Sequence, residues 1–402
     1  MLGSVSLISV PATSSASATV FGQGRDAAVP AHYGDLFGEQ RALAERVGLV
    51  DRSHRDILTV TGQDRLSWLH TLTTQHVSEL AEHTGIDALI LTPQGRIAHH
   101  MLLSEIGGTT FLDTEPGAGD VLLEFLQKMR FLLRVEPADA SEQWAILSLL
   151  GPDAVRLLTR AGLVAQEFQL AHEPQLTQPP RSPGTAWPLV NLPGGGWLRV
   201  VPWPTQHSCD LLVPRDQLAL VRDQLWSAGA ARCGHEAYEA LRVAAGRPRL
   251  GCETDDRAMP HELAWVASAV RLNKGCYPGQ ETVAKLHNLG QPPRRLVLLH
   301  LDGSSDQLPP RGEPVRWDGR EVGVVGTAAR HYELGGVALA VIKRNVSDDA
   351  ALSVASMCAA IDTELSARNP LDGQASLDEV EAGAGKRRVA EFLAARRQAR
   401  AG

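Results

Sequence analysis

Long apolar runs are missing from this sequence. No stretch reaches the ~18 residues that a helix needs to cross a bilayer, so the chain reads as one that is not integral to a membrane. Paired cysteines are missing too. The five cysteines, Cys209, Cys233, Cys252, Cys276 and Cys358, are odd in number, scattered, and form no CxxC pair. That pattern argues against a disulfide framework or a zinc module and suits reduced thiols in a cytoplasm. An excess of positive charge is also absent. Lys and Arg number 39 against 46 Asp and Glu, a net charge of −7, which disfavours a dedicated nucleic-acid binder. The triple glycine Gly194–Gly196 lacks the Lys-Ser/Thr of a phosphate loop and leads into a strand-like segment, so it reads as a hairpin turn.

What is present is ordinary for a globular chain: 44% hydrophobic and 21% charged residues over a length that suits two or three domains. Residues 1–28 are rich in Ser, Ala and Thr, lack the basic start of an export signal, and read as a disordered leader. Order is expected from Val29. "DLFGEQRALAERVGLV" and "QDRLSWLHTLTT" have helical period, and "RDILTVTG" alternates like a strand. From Ile86 the period becomes two, through "IDALILT", "IAHHMLLSE" and "TTFLDTE". "AGDVLLEFLQKMRFLLR" predicts one amphipathic helix, and "WAILSLLG" a buried strand leading into the helix "PDAVRLLTRAG". Residues 172–186 are Pro-rich and read as a loop. After residue 290, short strands with Gly/Asp turns predict a small all-β domain. Residues 348–402 read as a linker and a basic helix, "KRRVAEFLAARRQAR". That helix is either a solvated tail or a weak contact for RNA or a protein partner.

One stretch concentrates chemistry: "RLNKGCYPGQETVAKLHN", residues 271–288. A cysteine reacts as thiolate, and nearby cations or turn N–H groups favour that form. Lys274 precedes Cys276 by two positions, Gly275 and Gly279 permit close backbone approach, and Gln280 and Glu281 can orient a bound group. The spacing makes Cys276 a candidate acting residue with Lys274 as its charge partner, against the inert small hydrophobe that a lone cysteine usually is.

"KGCYPGQE" resembles the K-G-C-[FY]-x-G-Q-E signature of the YgfZ family, folate-binding relatives of the glycine-cleavage T-protein (aminomethyltransferase). "DRSHRDILTVTGQDRLSWLHTLTTQHV" is similar to the opening segment of that superfamily, and "GRPRLGCETDDRAMPHE" to its G-x-P-x-x-G…P-x-E run. The resemblance runs from about Val29 to Val346. It implies an α+β body of three modules around a central channel, one module ferredoxin-like and one a C-terminal β-barrel. Residues 29–290 would form the folate-binding region of two interleaved α+β modules, and 291–347 the barrel. It implies tetrahydrofolate in the channel and no stably bound metal. It also implies service to iron–sulfur cluster proteins or their assembly factors, and through them to iron–sulfur tRNA-modifying enzymes. A folate-dependent one-carbon transferase is the alternative.

Two departures from the superfamily stand out. His99 and His100 occupy the place of an acidic pair that handles protons in a T-protein. Adjacent strand residues point to opposite faces, so only one can face a channel, and His99 is taken as that one. Ala244 stands where a glutamate would accept from the pterin, which would weaken or alter folate binding; Glu253 or Glu262 could substitute. Asp51, Ser53 and His54 match the segment that forms channel wall, with a capping or turn role as the alternative. Arg130, Arg134, Arg294 and Arg295 are candidates for a folate glutamate tail or RNA phosphates, against a role as solvated or structural charges. The predicted cofactor contacts are thus Asp51, His54, His99, Arg130, Glu262, Gly279, Gln280 and Glu281.

Overall fold

The computed structural model describes residues 19–165, 186–201, 203–205 and 207–367. The expected Pro-rich loop, apart from its last residue, and the basic helix of the tail lie outside the described residues. The chain opens with a ribbon, β1 (Val20–Phe21) against β2 (Pro30–His32), with a 3-10 turn at Gly24–Asp26. Ordered structure therefore begins before the predicted Val29, because Asp26 is held by charged groups far along the chain. Helix α1 (Leu36–Glu45) follows, its first turn capped by the Asp35 carboxylate, which accepts from the Gly38 N–H at 2.9 Å.

An eleven-stranded sheet forms the body. Its strands are β3 (Gly48–Asp51), β4 (Asp56–Thr61), β5 (Thr84–Leu91), β6 (Ile97–Ile106), β7 (Thr109–Thr114), β8 (Glu136–Asp139), β9 (Trp144–Leu150), β10 (Trp187–Asn191), β11 (Trp197–Val201), β12 (Ser208–Pro214) and β13 (Ala231–Cys233). They lie in the order β13-β3-β9-β12-β11-β10-β5-β6-β7-β4-β8. The β13–β3 pair is parallel and the others antiparallel. Helices α2 (Arg65–Leu72), α3 (Gly119–Lys128), α4 (Ala154–Arg160), α5 (Leu218–Ser227) and α6 (His235–Ala244) pack around it. Two short helices then bracket the cysteine loop: α7 (Trp265–Ala269) ahead of the motif and α8 (Gln280–Leu289) at its end.

The centre of the sheet shows why the motif sits where it does. β5 is buried along both faces, and its alternation divides the partners. Ile86, Ala88 and Ile90 pack with Trp68, Leu69 and Leu122 from α2 and α3. Leu89 and Leu91 pack with Leu263, Trp265, Tyr277 and Val283 from the segment that holds the cysteine motif. One face is thus closed by helices, and the other by the motif itself.

The predicted helix through Arg134 ends earlier, at Lys128. Phe131 adopts φ 47°, and Arg134 is drawn to Asp64, its backbone N–H donating to Oδ2 at 2.9 Å and its guanidinium to both oxygens. That docking pulls the chain out of helical register.

The C-terminal module is a closed barrel of β14 (Arg294–Leu301), β15 (Pro314–Trp317), β16 (Arg320–His331), β17 (Gly335–Lys343), β18 (Leu352–Val354) and β19 (Met357–Ile361). It does not end at residue 347 as the resemblance implied. β18 pairs with β15 and β19 with β14, so without them two strands would be left as open edges. A short helix, α9 (Thr363–Ala367), follows. The α+β class and the C-terminal barrel read from the sequence are both present.

Candidate functional site

Strand parity decides which histidine matters. Both are buried. His99 turns to the helical face, where its ring lies 5.7 Å from that of Phe125, and burial pulls its pKa down to about 4. His100 turns to the motif face. Its ring stacks on Trp265 of α7 at 4.5 Å, and its Nε2 lies 2.6 Å from Oδ1 of Asp87 on β5. His100, not His99, is therefore the histidine on the face that the cysteine motif covers.

Asp87 is the centre of this group. The Arg247 guanidinium donates to its other oxygen at 2.7 Å. Burial alone would raise the Asp87 pKa, but the charges of His100 and Arg247 outweigh it and hold the carboxylate well below its usual range. Arg247 in turn lies 4.0 Å over the Trp203 ring and 3.4 Å from Ser268 Oγ on α7. Trp187 closes the aromatic side, 5.7 Å from Trp203. The arrangement offers an ionised acceptor, a planar cation and two aromatic rings around one point. The indole N–H of buried Trp265 and both ring nitrogens of buried His261 have no hydrogen-bond partner among the described residues.

α7 also ties this group to the cysteine. Thr74 Oγ1 donates to Ala269 O at 2.6 Å, Gln75 Nε2 to Ser268 O at 3.1 Å, and Arg271 N to Thr74 O at 2.9 Å. Lys274 then plugs the C-terminal end of α2. Its ammonium donates to the carbonyls of Thr73 at 2.7 Å, Gln75 at 2.8 Å and His70. All three donors are used on backbone, so Lys274 anchors the loop, contrary to the charge-partner role its spacing predicted. Burial pulls its pKa down to about 8.

Cys276 itself is exposed. Gly279, at φ 80°, caps α8 and lets it approach the β5–β6 turn; a Cβ there would meet Thr92 O at 2.6 Å. Gln280 Nε2 donates to Lys274 O at 3.1 Å, which closes the loop on itself, and Glu281 is exposed on the first turn of α8. Burial pushes the Cys209 thiol to about 12 and the Cys252 thiol to about 11.

The other predicted contacts are committed elsewhere. Asp51 accepts from Ser53 N at 2.9 Å, which is the turn role. Arg130 is an exposed partner of Glu136 at 3.1 Å. Glu262 accepts from Met259 N at 3.0 Å and pairs with Arg294 at 2.8 Å, and Arg294 also pairs with Asp255. Glu253, the other substitute for Ala244, is taken by Arg249 N, Arg242 and Thr327. Arg295 pairs with Asp348.

His54 belongs to a second cluster. Its Nε2 lies 3.0 Å from Asp26 Oδ1, and His235 Nε2 lies 3.4 Å from the same oxygen. Three such groups could hold a metal ion. Here the cation is Arg249, whose guanidinium donates to both Asp26 oxygens at 2.6 and 3.0 Å and lies 3.3 Å from His235 Nε2. Burial would raise Asp26, but hydrogen bonds from His235, His54 and Arg249 hold it well below the carboxylate range. The network continues through Glu115, Arg55, Asp113 and Arg199 to Asp210.

Sequence reasoning missed Asp87, Arg247, Asp26, Arg249 and His235. Asp87 left one signal: a carboxylate inside the otherwise apolar "IDALIL" implies a buried partner.

With this geometry in place, comparisons add the relatives. Residues 12–175 match the GCVT N-terminal domain. A chloroplastic protein of Arabidopsis thaliana, provisionally described as a transferase, is 28% identical over 300 residues, 70% of this chain; the match spans only 62% of that relative's length. An aminomethyltransferase of Herpetosiphon aurantiacus is 26% identical over 323 residues, 78% of this chain and 84% of its own. The crystal structure of the glycine cleavage system aminomethyltransferase T from Bartonella henselae shares the fold. Its TM-score is 0.71 at 18% identity, covering 85% of this chain and 92% of that one. Residues 12–175 thus carry a match to the GCVT N-terminal domain, and the chain is similar in sequence to aminomethyltransferases and in fold to one of known structure.

Proposed function

We propose that this chain is a reduced-folate-binding protein of the YgfZ branch, acting in a reducing cytoplasm. In this proposal it supports assembly or repair of iron–sulfur clusters through the thiol of Cys276. The observation that carries the reading is the placement of Cys276: exposed, on a loop anchored by Lys274, and continuous with the helix that faces Asp87, His100 and Arg247. Cluster proteins or their assembly factors are the proposed partners, and a cluster is their cargo. One thiol cannot hold a cluster alone.

The residues present suit tetrahydrofolate in class, if not by the usual acceptor. Ala244 supplies none, and Glu253 and Glu262 are engaged. Both Asp87 oxygens are likewise paired, with His100 and Arg247, so pterin N–H groups would replace one of these partners at an acceptor kept ionised. The Trp265 N–H, without a partner among the described residues, is a donor for the ligand. Bound folate supplies a one-carbon or pterin group beside the loop; the chain's own part is to orient it and to present the thiol.

Complementation of a strain lacking its YgfZ protein tests the reading, with tetrahydrofolate calorimetry on the same protein. Wild type should complement and bind, and Cys276→Ser should bind without complementing. Full complementation by Cys276→Ser would remove the thiol from the function.

A second reading, an aminomethyltransferase-like transferase, draws on the names of the relatives and on Asp87, which returns a carboxylate to the side of His100. The His99–His100 pair argues against it, since loss of a positioned general acid or base costs about 10²–10⁴-fold. Turnover of an aminomethylated carrier with tetrahydrofolate at the rate of a true T-protein would favour this second reading. The basic tail remains a third route, to RNA or a protein, separable by deleting residues 348–402 and measuring retention against salt.

A further inference from the structure

The segment that opens the described chain, residues 19–32, lies as a strap over the loop that carries Arg247. We infer that Asp26 and Arg25 of this strap are positioning residues for the ligand site: they fix the Arg249–Gly251 loop and, through it, the placement of Arg247 against Trp203 and Asp87. The inference rests on the folate-binding reading above.

Two adjacent strap residues grip the loop from its outer side. Asp26 takes the Arg249 guanidinium in a two-point pair at 2.6 and 3.0 Å. Arg25 donates to Leu250 O at 2.8 Å and to Gly251 O at 3.5 Å. Gly251 has φ 75°, and a Cβ there would meet Arg25 Nη2 at 2.7 Å, so the glycine leaves room for that guanidinium. The strap is seated by burial of Val29 and Ala31 and by its own ribbon.

The loop transmits this grip because it has little freedom of its own. Arg247 and Arg249 flank Pro248, whose ring fixes φ at that residue, one of the four backbone torsions between them. Arg247 N donates to Arg242 O at 3.1 Å, the Arg242 guanidinium returns to Arg247 O at 2.5 Å, and Arg249 N donates to Glu253 at 2.8 Å. Of the two arginines, Arg249 points into the buried network and Arg247 into the candidate site. A shift of Arg249 therefore moves Arg247 across the face of Trp203.

The role is one of orientation rather than charge burial. Without Asp26, Arg249 keeps Glu115 and, at 3.5 Å, Glu239. It is not orphaned, but it is drawn toward the body and away from the strap. Arg25 is exposed, so its removal leaves no buried group unsatisfied.

The test uses the full chain and tetrahydrofolate calorimetry on Asp26→Asn, Arg25→Ala, Arg247→Ala and the Asp26→Asn/Arg247→Ala double variant. Asp26→Asn should weaken binding about tenfold and lower the melting temperature, since it takes a charged partner from buried Arg249, whereas Arg25→Ala should weaken binding about threefold with a melting temperature close to wild type. The double variant should bind no more weakly than Arg247→Ala alone, because one residue acts through the other. A merely structural Asp26 would give additive losses, and either additivity or unchanged affinity in both strap variants overturns the inference. Hydrogen exchange of residues 246–252 without ligand is the second measurement, and it should quicken in both strap variants. If the wild type takes up no tetrahydrofolate, the folate reading fails by itself. The strap is then judged on exchange, and unchanged exchange overturns it.

Discussion

Replacing Lys274 by Met removes the ammonium while keeping most of the aliphatic stem, and the structure says what that should cost. Three carbonyls at the end of α2 lose their donor, those of His70, Thr73 and Gln75. A charged hydrogen bond contributes about 1.5–3 kcal/mol, so the three together favour lysine by roughly 5–9 kcal/mol. Against this stands the cost of keeping the ammonium out of water. The fall of its pKa from 10.5 to about 8 sets that cost at about 3 kcal/mol before solvent screening reduces it. The hydrogen bonds win, and the net loss in Lys274→Met should be about 2–6 kcal/mol. Lys274→Arg should recover little, because a planar fork does not fit three carbonyls converging on one point. Urea unfolding measures the loss, and hydrogen exchange should localise it to the end of α2 and to residues 271–280. A loss under 0.5 kcal/mol, or one spread evenly over the chain, would refute the anchoring role.

Three further outcomes follow from the same geometry. Iodoacetamide near neutral pH should modify Cys276 well before Cys209 and Cys252, whose buried thiols are pushed to about 12 and about 11; equal labelling by site-resolved mass spectrometry would contradict that packing. Acid should weaken the fold between about pH 6.5 and 4 through His99 and His261, both pulled down to about 4 by burial, with His287 adding to the effect at His261. The unfolded chain takes up these protons first, so their stability contribution is complete above pH 6.5 and is lost as pH falls through 4. It is worth about 3 kcal/mol at most for each. A His99→Leu variant with unchanged pH dependence in thermal unfolding would remove His99 from this account. Arg199→Met should cost about 3–5 kcal/mol, since it leaves the buried carboxylates of Asp113 and Asp210 short of their shared cation; a melting temperature equal to wild type would show that the remaining arginines compensate.

The parts of this molecule that were legible in the sequence share one property: their cause lies within a few residues. Period two in "IDALILT" and "IAHHMLLSE" reports which face each side chain takes, and β5 and β6 follow it. Even the rule that only one of two adjacent histidines can face inward held, although the pattern could not say which face was inward. That depended on α7, which arrives much later in the chain and covers the Leu89 side of the sheet. The candidate site was illegible for the same reason. Arg247 meets Asp87 across 160 positions, and Asp26 meets Arg249 across 223. No spacing rule reaches so far. Lys274 shows the limit most clearly, because two positions from Cys276 suggested one partner while its side chain took another, across 199 to 204 positions. Proximity in sequence fixes where a charge starts, but a long side chain goes to whichever unsatisfied acceptors burial makes most costly to leave alone. For an ammonium beside the open end of a helix, those acceptors were the His70 carbonyl in the last turn of α2 and those of Thr73 and Gln75 just beyond it.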